Sequence, residues 1–464
     1  EMIQSEDDFF DLFEKEVSNH ELSLFLGAGS SMDAGLISLF DLMNPLSKDL
    51  KIKMNEKTNL FNIAQFYIDK FGKQQLVSTL HDELKKLPKS TNLIDNLLKL
   101  NSKTIWTTNY DTIIEDKFLK LGIKSNVVYK ENQIHSVENN KINIIKINGQ
   151  LSDADSIVIS TTDLAENKER NELLFTFLSK ELATNSFLFI GYSFQDNVIL
   201  STLLKLKKIM GQFAATHFTI MKKECDDKVQ EQKMFINYLE KNYNIQTLLV
   251  DDYPDIPRKV KQLRNHMINK NILLSGALWD VSEDQQEFAY SLMKELSSEL
   301  LDMDGYYNLH TGMGMNIGAY FAGEAFKHIQ DKNILYPERR LALKPFALDT
   351  TKNENDELRH GLVNDCKIFI FAFGDKNPNH DGESGVIKEY KEALKVHKYN
   401  AIYIPIASTG LAAEEVYDLI SKDGINNYPY LSDYMEKLKS EKEPSNIVKM
   451  IKQIIESGRS YLAS

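Results

Sequence analysis

Cysteine is scarce in this chain, which has only two in 464 residues, Cys225 and Cys366. The two lie far apart in sequence and no CxxC pair occurs, so the chain can form neither a disulfide framework nor a four-cysteine zinc site. A protein with so little cysteine suits a reducing compartment. We therefore predict a cytoplasmic location and no bound metal.

Long hydrophobic runs are missing too. No apolar stretch approaches the roughly 20 residues that span a bilayer, and the first residues, EMIQSEDDFF, are acidic and do not resemble a signal peptide. Basic residues are outnumbered, which gives a formal net charge of −12. An acidic protein is a poor candidate for nonspecific binding of nucleic acid or of an anionic membrane surface. We predict neither as a partner.

The chain has ample material for packed cores, since 42% of its residues are hydrophobic. Its length exceeds what one core usually serves, so at least two domains are expected. Short apolar runs that end in glycine or polar residues alternate with helical stretches such as LFNIAQFYIDKF. The runs in the first half are SLFLGAGSS, TIWTTNYD, NIIKING, SIVIS, SFLFIGYSF, HFTIMKK and IQTLLVDDY. This alternation predicts parallel strands covered by helices on both faces, a Rossmann-like architecture.

A break in the pattern divides the chain. The charged segment DDYPDIPRK carries Pro254 and Pro257, and it predicts the end of a first domain at about residue 258. The strand pattern starts again near residue 268 with NILLSGAL, HTGMGMNIG, CKIFIFAFG and NAIYIPIASTG. The predicted fold class is α/β, with two Rossmann-like domains, residues 1–258 and 268–464, each built on a parallel sheet covered by helices.

The first glycine-rich motif is Gly27-Ala28-Gly29-Ser30, at the end of the first apolar run. Glycines at such a place let the backbone approach a pyrophosphate, and the following helix offers free N–H groups to it. The same turn is equally common as a plain, tight connection from strand to helix. Taken alone, the motif leaves both interpretations open.

Two further motifs end in polar residues. TTNYD places Asn109 and Asp111 after the second run, and GYSF places Gly191 and Ser193 after a later one. Ligands sit at the carboxyl ends of strands in open α/β sheets, and an amide can both donate and accept hydrogen bonds. The alternatives are ordinary helix caps, with Asn109 capping a helix that begins at Asp111.

Together GAGSS, TTNYD, KING and GYSF resemble the motifs of the sirtuin family, in the family's order, over about residues 1–250. The resemblance implies an NAD⁺ site and a catalytic role for Asn109. It also implies that the following residues bind the nucleotide: Gly27, Ala28, Gly29, Ser30, Asp111, Gly191 and Ser193.

One position departs from that family. Lys146-Ile147-Asn148-Gly149 has Asn148 where sirtuins carry the catalytic His, which acts as a general base. An amide cannot take a proton near neutral pH, and loss of a general base costs about 100- to 10,000-fold in rate. Asn148 can still hydrogen-bond a ribose. Because Glu1 precedes Met2, we interpret the change as an engineered His→Asn inactivation that traps uncleaved NAD⁺. A natural degenerate site is the alternative.

The C-terminal half has motifs of another kind: LLSGA, HTGMGMNIG, LKPFA, FAFGDK, GVIKEY and IPIASTG. They resemble the SLOG family, a group of Rossmann-like sensors of nucleotide ligands. The resemblance implies that Lys344 and Arg359 pair with phosphates and that Glu389 accepts hydrogen bonds from a ribose, although solvated surface positions are the alternative. Glycines would lie beside the phosphates, namely Gly276, Gly312, Gly314 and Gly410.

A sirtuin domain followed by a SLOG domain resembles the NADase effectors of the bacterial Thoeris anti-phage defence systems. The resemblance implies hydrolysis of NAD⁺ to ADP-ribose and nicotinamide once the SLOG domain binds a cyclic ADP-ribose isomer made by a TIR-domain protein. It also implies a homo-oligomer, a tetramer that stacks into filaments when activated. A catalytically silent nucleotide sensor or scaffold is the main alternative. A protein deacylase is disfavoured by the missing zinc ribbon, and a Rossmann oxidoreductase by the incomplete GxGxxG turn.

Overall fold

The computed structural model describes residues 5–32, 38–55, 57–84, 90–138, 141–194, 197–279, 282–334, 337–347, 351–376 and 382–463. The chain divides into two compact units, Glu1–Arg264 and Asn265–Ser464. Each unit is built on one sheet in which every strand pairing is parallel. The predicted fold class, two α/β domains with parallel sheets covered by helices, is confirmed.

The first unit holds a seven-stranded sheet. Its strands in chain order are β1 (Leu22–Leu26), β2 (Thr104–Thr107), β3 (Ser125–Val128), β4 (Ile142–Lys146), β5 (Ser186–Ile190), β6 (His217–Lys222) and β7 (Ile245–Val250). In space the order is β3-β4-β2-β1-β5-β6-β7. Every residue of β1, β2 and β5 is buried, as expected for central strands covered on both faces.

Helices surround this sheet and connect its strands. Those of the first unit are α1 (Glu6–Asn19), α2 (Gly29–Met32), α3 (Leu39–Asp49), α4 (Leu60–Phe71), α5 (Lys73–Leu84), α6 (Asn92–Leu98), α7 (Ile113–Lys120), α8 (Thr161–Arg170), α9 (Glu172–Thr184), α10 (Asn197–Met210) and α11 (Lys228–Tyr243). Helix α4 coincides with the predicted helix LFNIAQFYIDKF. The proline-containing segment leads into α12 (Asp255–Ile268), and Pro257 lies in its first turn.

The second unit holds a five-stranded sheet with strands β8 (Asn271–Ala277), β9 (Asn308–Thr311), β10 (Leu341–Leu343), β11 (Ile368–Phe373) and β12 (Ile402–Ile406). Their spatial order is β10-β9-β8-β11-β12. The helices are α13 (Glu283–Leu301), α14 (Ile317–Asp331), α15 (Pro337–Arg340), α16 (Lys352–Asn364), α17 (Gly385–His397), α18 (Leu411–Asp423), α19 (Met435–Ser440) and α20 (Pro444–Ala463). Among the described residues, no helix is long and apolar enough to cross a membrane.

One predicted strand was wrong, and two strands, β3 and β10, were not predicted. The run SIVIS, residues 156–160, joins neither sheet. Its residues Ile157 and Ile159 are buried instead among side chains of α3, α4 and α5. The apolar run therefore reflects burial against helices. Strands β3 and β10 were not predicted because each is a short edge strand, and only one residue of the two, Val128 of β3, is fully buried.

The strand order reverses beside the first strand of each sheet. From β1 the chain builds β2, β3 and β4 on one side and then crosses to β5 on the other. In the second sheet β9 and β10 lie on one side of β8, and β11 and β12 lie on the other. Such a reversal opens a crevice at the carboxyl edge of the strands, which is where open α/β sheets bind their ligands.

Helix α1 is attached to the first sheet through aromatic packing. Phe9 and Phe13 meet Phe218 of β6 edge-to-face, with ring centroids 5.4 and 5.0 Å apart. Phe13 is fully buried, whereas Leu119 at the end of α7 is 80% exposed. Phe13→Ala should lower the free energy of unfolding by about 3–5 kcal/mol, because it leaves a cavity. Leu119→Ala should change it by less than about 0.5 kcal/mol. Similar losses in denaturant titrations of the two variants would contradict this packing.

Candidate functional site

Four loops meet at the carboxyl edge of the first sheet. They follow β4, β2, β1 and β5, which are consecutive neighbours in the sheet, so their first residues lie side by side. These loops carry the residues of the KING, TTNYD, GAGSS and GYSF motifs. The fold therefore brings four motifs that are scattered over the sequence to one edge.

The glycines of two of these loops are required by a close approach of main chains. The Gly27 N–H donates to the Ile190 carbonyl at 2.9 Å, and the Gly29 N–H donates to the Gly191 carbonyl at 3.0 Å. A Cβ on Gly27 would lie 2.3 Å from the Gly191 carbonyl oxygen, and one on Gly191 would lie 2.1 Å from the Ser30 nitrogen. Contact between the turns after β1 and β5 is thus enough to explain these glycines. Ala28 between them is exposed.

Asn109 is buried and held from two sides. Its Nδ2 donates to the Ser30 Oγ at 3.2 Å, and the Ser30 hydroxyl donates to the Gly27 carbonyl at 2.7 Å. Its backbone N–H donates to Thr107 Oγ1 at 3.0 Å. Asn109 does not cap a helix, because α7 begins at Ile113, whose N–H is accepted by the Asp111 carboxylate at 3.1 Å. The side chain of Asn109 therefore belongs to the sheet edge.

Asn148 lies in the loop after β4, beside the loop that carries Asn109, and it is partly buried. Its Nδ2 donates to the Thr108 carbonyl at 3.4 Å. Its own carbonyl accepts the Val158 N–H at 3.0 Å, and the Tyr110 hydroxyl donates to the Val158 carbonyl at 2.6 Å. Asn109 and Asn148 thus flank Thr108. Neither amide has a group that titrates near neutral pH.

A buried lysine supports the same loop. Lys146 is 1% exposed, and its Nζ donates to the Asp111 carbonyl at 2.6 Å and pairs with the Glu115 carboxylate at 2.5 Å. Burial raises the pKa of Glu115, an effect that the Lys146 charge opposes. The sequence prediction assigned no role to Tyr110 or Lys146. The available signal for Lys146 was a charged residue directly after the apolar pair Ile144 and Ile145.

The last predicted members of this site are only partly described. Ser193 is exposed at the same edge, one residue before the buried Phe194. Gln195 and Asp196 of the GYSFQD motif lie outside the described residues. Residues 33–37, which follow the short helix α2, also lie outside them.

The second unit repeats the close approach of main chains. A Cβ on Gly314, in the loop after β9, would lie 2.0 Å from the Gly276 carbonyl oxygen. A Cβ on Gly276 would lie 2.7 Å from the Ala372 carbonyl oxygen of β11. A Cβ on Gly312 would lie 2.9 Å from the ring of Phe346, so glycine leaves room for that ring. Three of the four predicted glycines are therefore needed for packing at this edge.

Arg359 of α16 and Glu389 of α17 lie near each other in the second unit. Phe346 stacks beneath the Arg359 guanidinium at 5.3 Å, and Arg359 also pairs with Asp356 at 3.0 Å. The Arg359 Nε is buried without a hydrogen-bond partner among the described residues. Burial raises the pKa of the Glu389 carboxyl, and Ser275 and Arg359 oppose this shift. Ser275 and Phe346 were not predicted to belong here.

Lys344 and Gly410 are placed differently from these residues. The Lys344 ammonium pairs with the Asp365 carboxylate at 2.5 Å, so its charge is already balanced within the protein. Burial, assisted by Lys344, lowers the pKa of nearby His310 to about 4. Gly410 precedes α18 with a φ of +73°, and no described atom would lie within 4 Å of a Cβ there. A positive φ, and not crowding, favours glycine at that position.

Comparison with known families adds to this geometry. Residues 103–248 match the family described as SIR2-like domain, and residues 255–458 match the Sir2- and TIR-associating SLOG family. Proteins called NAD(+) hydrolase ThsA are similar over nearly the whole chain. The Bacillus cereus protein is 24% identical, covering 96% of both chains. The Acinetobacter baumannii protein is 27% identical, covering 95% of this chain and 96% of its own.

The chain thus resembles the ThsA proteins in both of its units. Its similarity to Defense-associated sirtuin 2 of Bacillus subtilis, 24% identical, covers only 41% of this chain and 20% of that protein. The SIR2-like match includes Asn109 and Asn148 but begins after the GAGSS turn. The SLOG-family match includes every residue that the sequence predicted for the second site.

Two glycines of the first unit allow the backbone approach to be tested. Gly191 and Gly122 have nearly the same φ, +66° and +67°, but no described atom crowds Gly122. Gly122→Ala should cost about 1–2 kcal/mol of unfolding free energy, the cost of a left-handed residue. Gly191→Ala should cost more than about 4 kcal/mol, because the turns must also separate. Equal losses in urea denaturation would show that the approach is not needed.

Proposed function

We propose that this ThsA-type chain binds NAD⁺ at the carboxyl edge of the first sheet, and that the reaction of this site is hydrolysis of NAD⁺ to ADP-ribose and nicotinamide. One observation carries the proposal: the buried Asn109 amide is held against Ser30, with Asn148 on the far side of Thr108. The relatives called NAD(+) hydrolase ThsA support it, because they extend over almost the whole chain.

In this reaction the bond between nicotinamide and the ribose C1′ breaks, and its electron pair leaves with the nicotinamide. A water oxygen then bonds to C1′ and loses a proton. An oxocarbenium-like ribose forms on the way, so the protein has to position the ribose and the water and stabilise charge. Asn109 suits positioning, because it is fixed by Ser30 and Thr107 and its side chain is an amide, which has both donor and acceptor groups.

Position 148 separates binding from cleavage in this proposal. A His there would take the proton from a ribose hydroxyl or from the water, whereas Asn148 cannot. The Asn148 side chain can still offer hydrogen bonds to the same ribose. We therefore expect the chain as it stands to bind NAD⁺ with little turnover, whether the Asn is engineered or natural.

The back-substitution Asn148→His tests this. We expect NAD⁺ cleavage by the His variant to be about 100- to 10,000-fold faster than by the parent chain, with a similar dissociation constant for NAD⁺. Product formation is followed by chromatography of ADP-ribose and nicotinamide, and binding by calorimetry. Asn126→His serves as a control, because Asn126 lies in the edge strand β3 and bonds Ser136 and Asn143. Intact NAD⁺ with the Asn148→His variant, with and without cyclic ADP-ribose isomers, would refute the hydrolase proposal.

The same variant should have a pH dependence that the parent chain lacks. A His base works only when neutral, and its ordinary pKa is about 6.5. The kcat of Asn148→His should therefore fall about tenfold for each pH unit below that value and level off above it. A flat pH profile would indicate that the new imidazole does not act as the base.

The second unit is proposed to switch the first. Its ligand would be a cyclic ADP-ribose isomer made by a TIR-domain protein, and binding would activate NAD⁺ hydrolysis in a homo-oligomer, a tetramer that stacks into filaments. Arg359 supports a phosphate ligand, because its buried Nε has no hydrogen-bond partner among the described residues and its plane is held by Phe346. Glu389 beside it suits ribose hydroxyls.

Arg359→Gln should weaken binding of cyclic ADP-ribose isomers by about 10- to 100-fold, the loss expected for charge-assisted hydrogen bonds. Lys332→Gln is the control, since Lys332 is an exposed cation of the same unit that faces Asp302 at 3.9 Å. Calorimetry with each isomer measures both variants. Unchanged affinity of the Arg359 variant would remove Arg359 from the ligand site.

A catalytically silent sensor is the second candidate, and Asn148 is the observation that favours it. Both a hydrolase and a silent sensor would bind NAD⁺. In a silent sensor, however, the Asn148→His variant would stay inactive with every cyclic ADP-ribose isomer that the second unit binds. Binding without cleavage in that variant would favour the sensor.

A further inference from the structure

The loop that carries Asn109 is tied to the segment that carries Asn148 by a set of unequal hydrogen bonds. The direct contact, from Asn148 Nδ2 to the Thr108 carbonyl, is long at 3.4 Å. The contact from the Tyr110 hydroxyl to the Val158 carbonyl is short at 2.6 Å. The relative placement of the two amides therefore depends more on Tyr110 than on their own side chains.

Val158 connects the two sides through both of its main-chain polar groups. Its N–H donates to the Asn148 carbonyl at 3.0 Å, and its carbonyl accepts the hydroxyl of Tyr110, the residue that follows Asn109. Val158 thus contacts both Tyr110, the residue next to Asn109, and the backbone of Asn148. The distance between Asn109 and Asn148 therefore depends on both the Tyr110–Val158 and the Val158–Asn148 hydrogen bonds, and loss of either one would break the connection.

The segment around Val158 is also anchored by two side chains, Lys73 of α5 and Asp163 of α8. The Lys73 ammonium donates to the Ile157 carbonyl at 2.7 Å and pairs with Asp163 at 2.6 Å. The Asp163 carboxylate in turn accepts the backbone N–H groups of Ile159 and Ser160, at 3.2 and 3.1 Å. Val158 therefore lies in a segment whose neighbours on both sides are anchored to α5 and α8.

The Tyr110 side chain has little freedom to move away from Val158. Its ring packs against the cluster formed by α3, α4 and α5, which includes Ile157 and Ile159 from either side of Val158. Burial strongly raises the pKa of the Tyr110 hydroxyl, so it stays protonated and remains a donor throughout the neutral range. The hydroxyl is used by a main-chain carbonyl and has no part in proton transfer.

We propose that Tyr110 is a positioning residue, whose hydrogen bond to the Val158 carbonyl sets the placement of Asn109 relative to position 148 and so controls the rate of NAD⁺ cleavage. This rests on the proposed function of the site. A small displacement of a positioned group weakens transition-state stabilisation more than ground-state binding. The expected signature is therefore a change in kcat, not in KM.

Tyr110→Phe removes one oxygen and keeps the ring in its cluster. Made in the Asn148→His chain, it should lower kcat about 10- to 100-fold and change KM less than about threefold. Tyr67→Phe is the matched control, because the Tyr67 hydroxyl is also part of this helical cluster but bonds Asp49 at 3.3 Å, away from the sheet edge. The control should leave kcat within about twofold. Equal kcat values for the two variants would overturn the proposal.

Hydrogen exchange provides a readout that needs no NAD⁺. In the chain as it stands, Tyr110→Phe should speed amide exchange in the peptide covering residues 156–160 about tenfold or more, and Tyr67→Phe should not. Unchanged exchange would show that Tyr110 does not hold Val158. If the Asn148→His chain fails to cleave NAD⁺ while Tyr110→Phe still speeds exchange, the proposed function fails and the structural link remains.

Discussion

The first unit depends on the close approach of two main chains, at the turns that follow β1 and β5. The Gly27 and Gly29 N–H groups donate to carbonyls of the other turn, and Gly191 has a left-handed φ that completes the crossing. This contact joins the loops after β1 and β5, the two parallel strands between which the strand order reverses. The position of Ser30, and with it the side-chain partner of Asn109, follows from that contact.

Main-chain groups, more than charges, hold the polar side chains of this edge in place. Thr107 Oγ1 donates to the Leu26 carbonyl, the Ser30 hydroxyl donates to the Gly27 carbonyl, and the Lys146 ammonium donates to the Asp111 carbonyl. Each of these bonds joins a side chain to backbone that the sheet or its turns already order. These side chains are therefore already ordered before any ligand binds, so binding would cost little of their conformational entropy. This favours a preorganised site.

The sequence predicted the strands of this edge well, because each is an apolar run ended by glycine or a polar residue. It left open whether Asn109 caps a helix or faces a ligand site, since that choice depends on Ser30, 79 residues away in the chain. Tyr110 and Lys146 were not predicted because their partners are carbonyls 48 and 35 residues distant, which no side-chain pattern reveals. The run SIVIS was assigned to the sheet because burial against helices and burial between strands select the same residues.

The proposed separation of NAD⁺ binding from cleavage agrees with the way in which position 148 is held. Asn148 makes a long contact through its side chain, whereas its backbone is held firmly by Val158. An imidazole and an amide can therefore replace one another at position 148 without moving the loops. Gly191 is the opposite case, because its backbone conformation supports both turns and any side chain would strike the Ser30 nitrogen. In the proposed function, a substitution at position 148 would thus remove the base while the turns that form this edge of the sheet are retained.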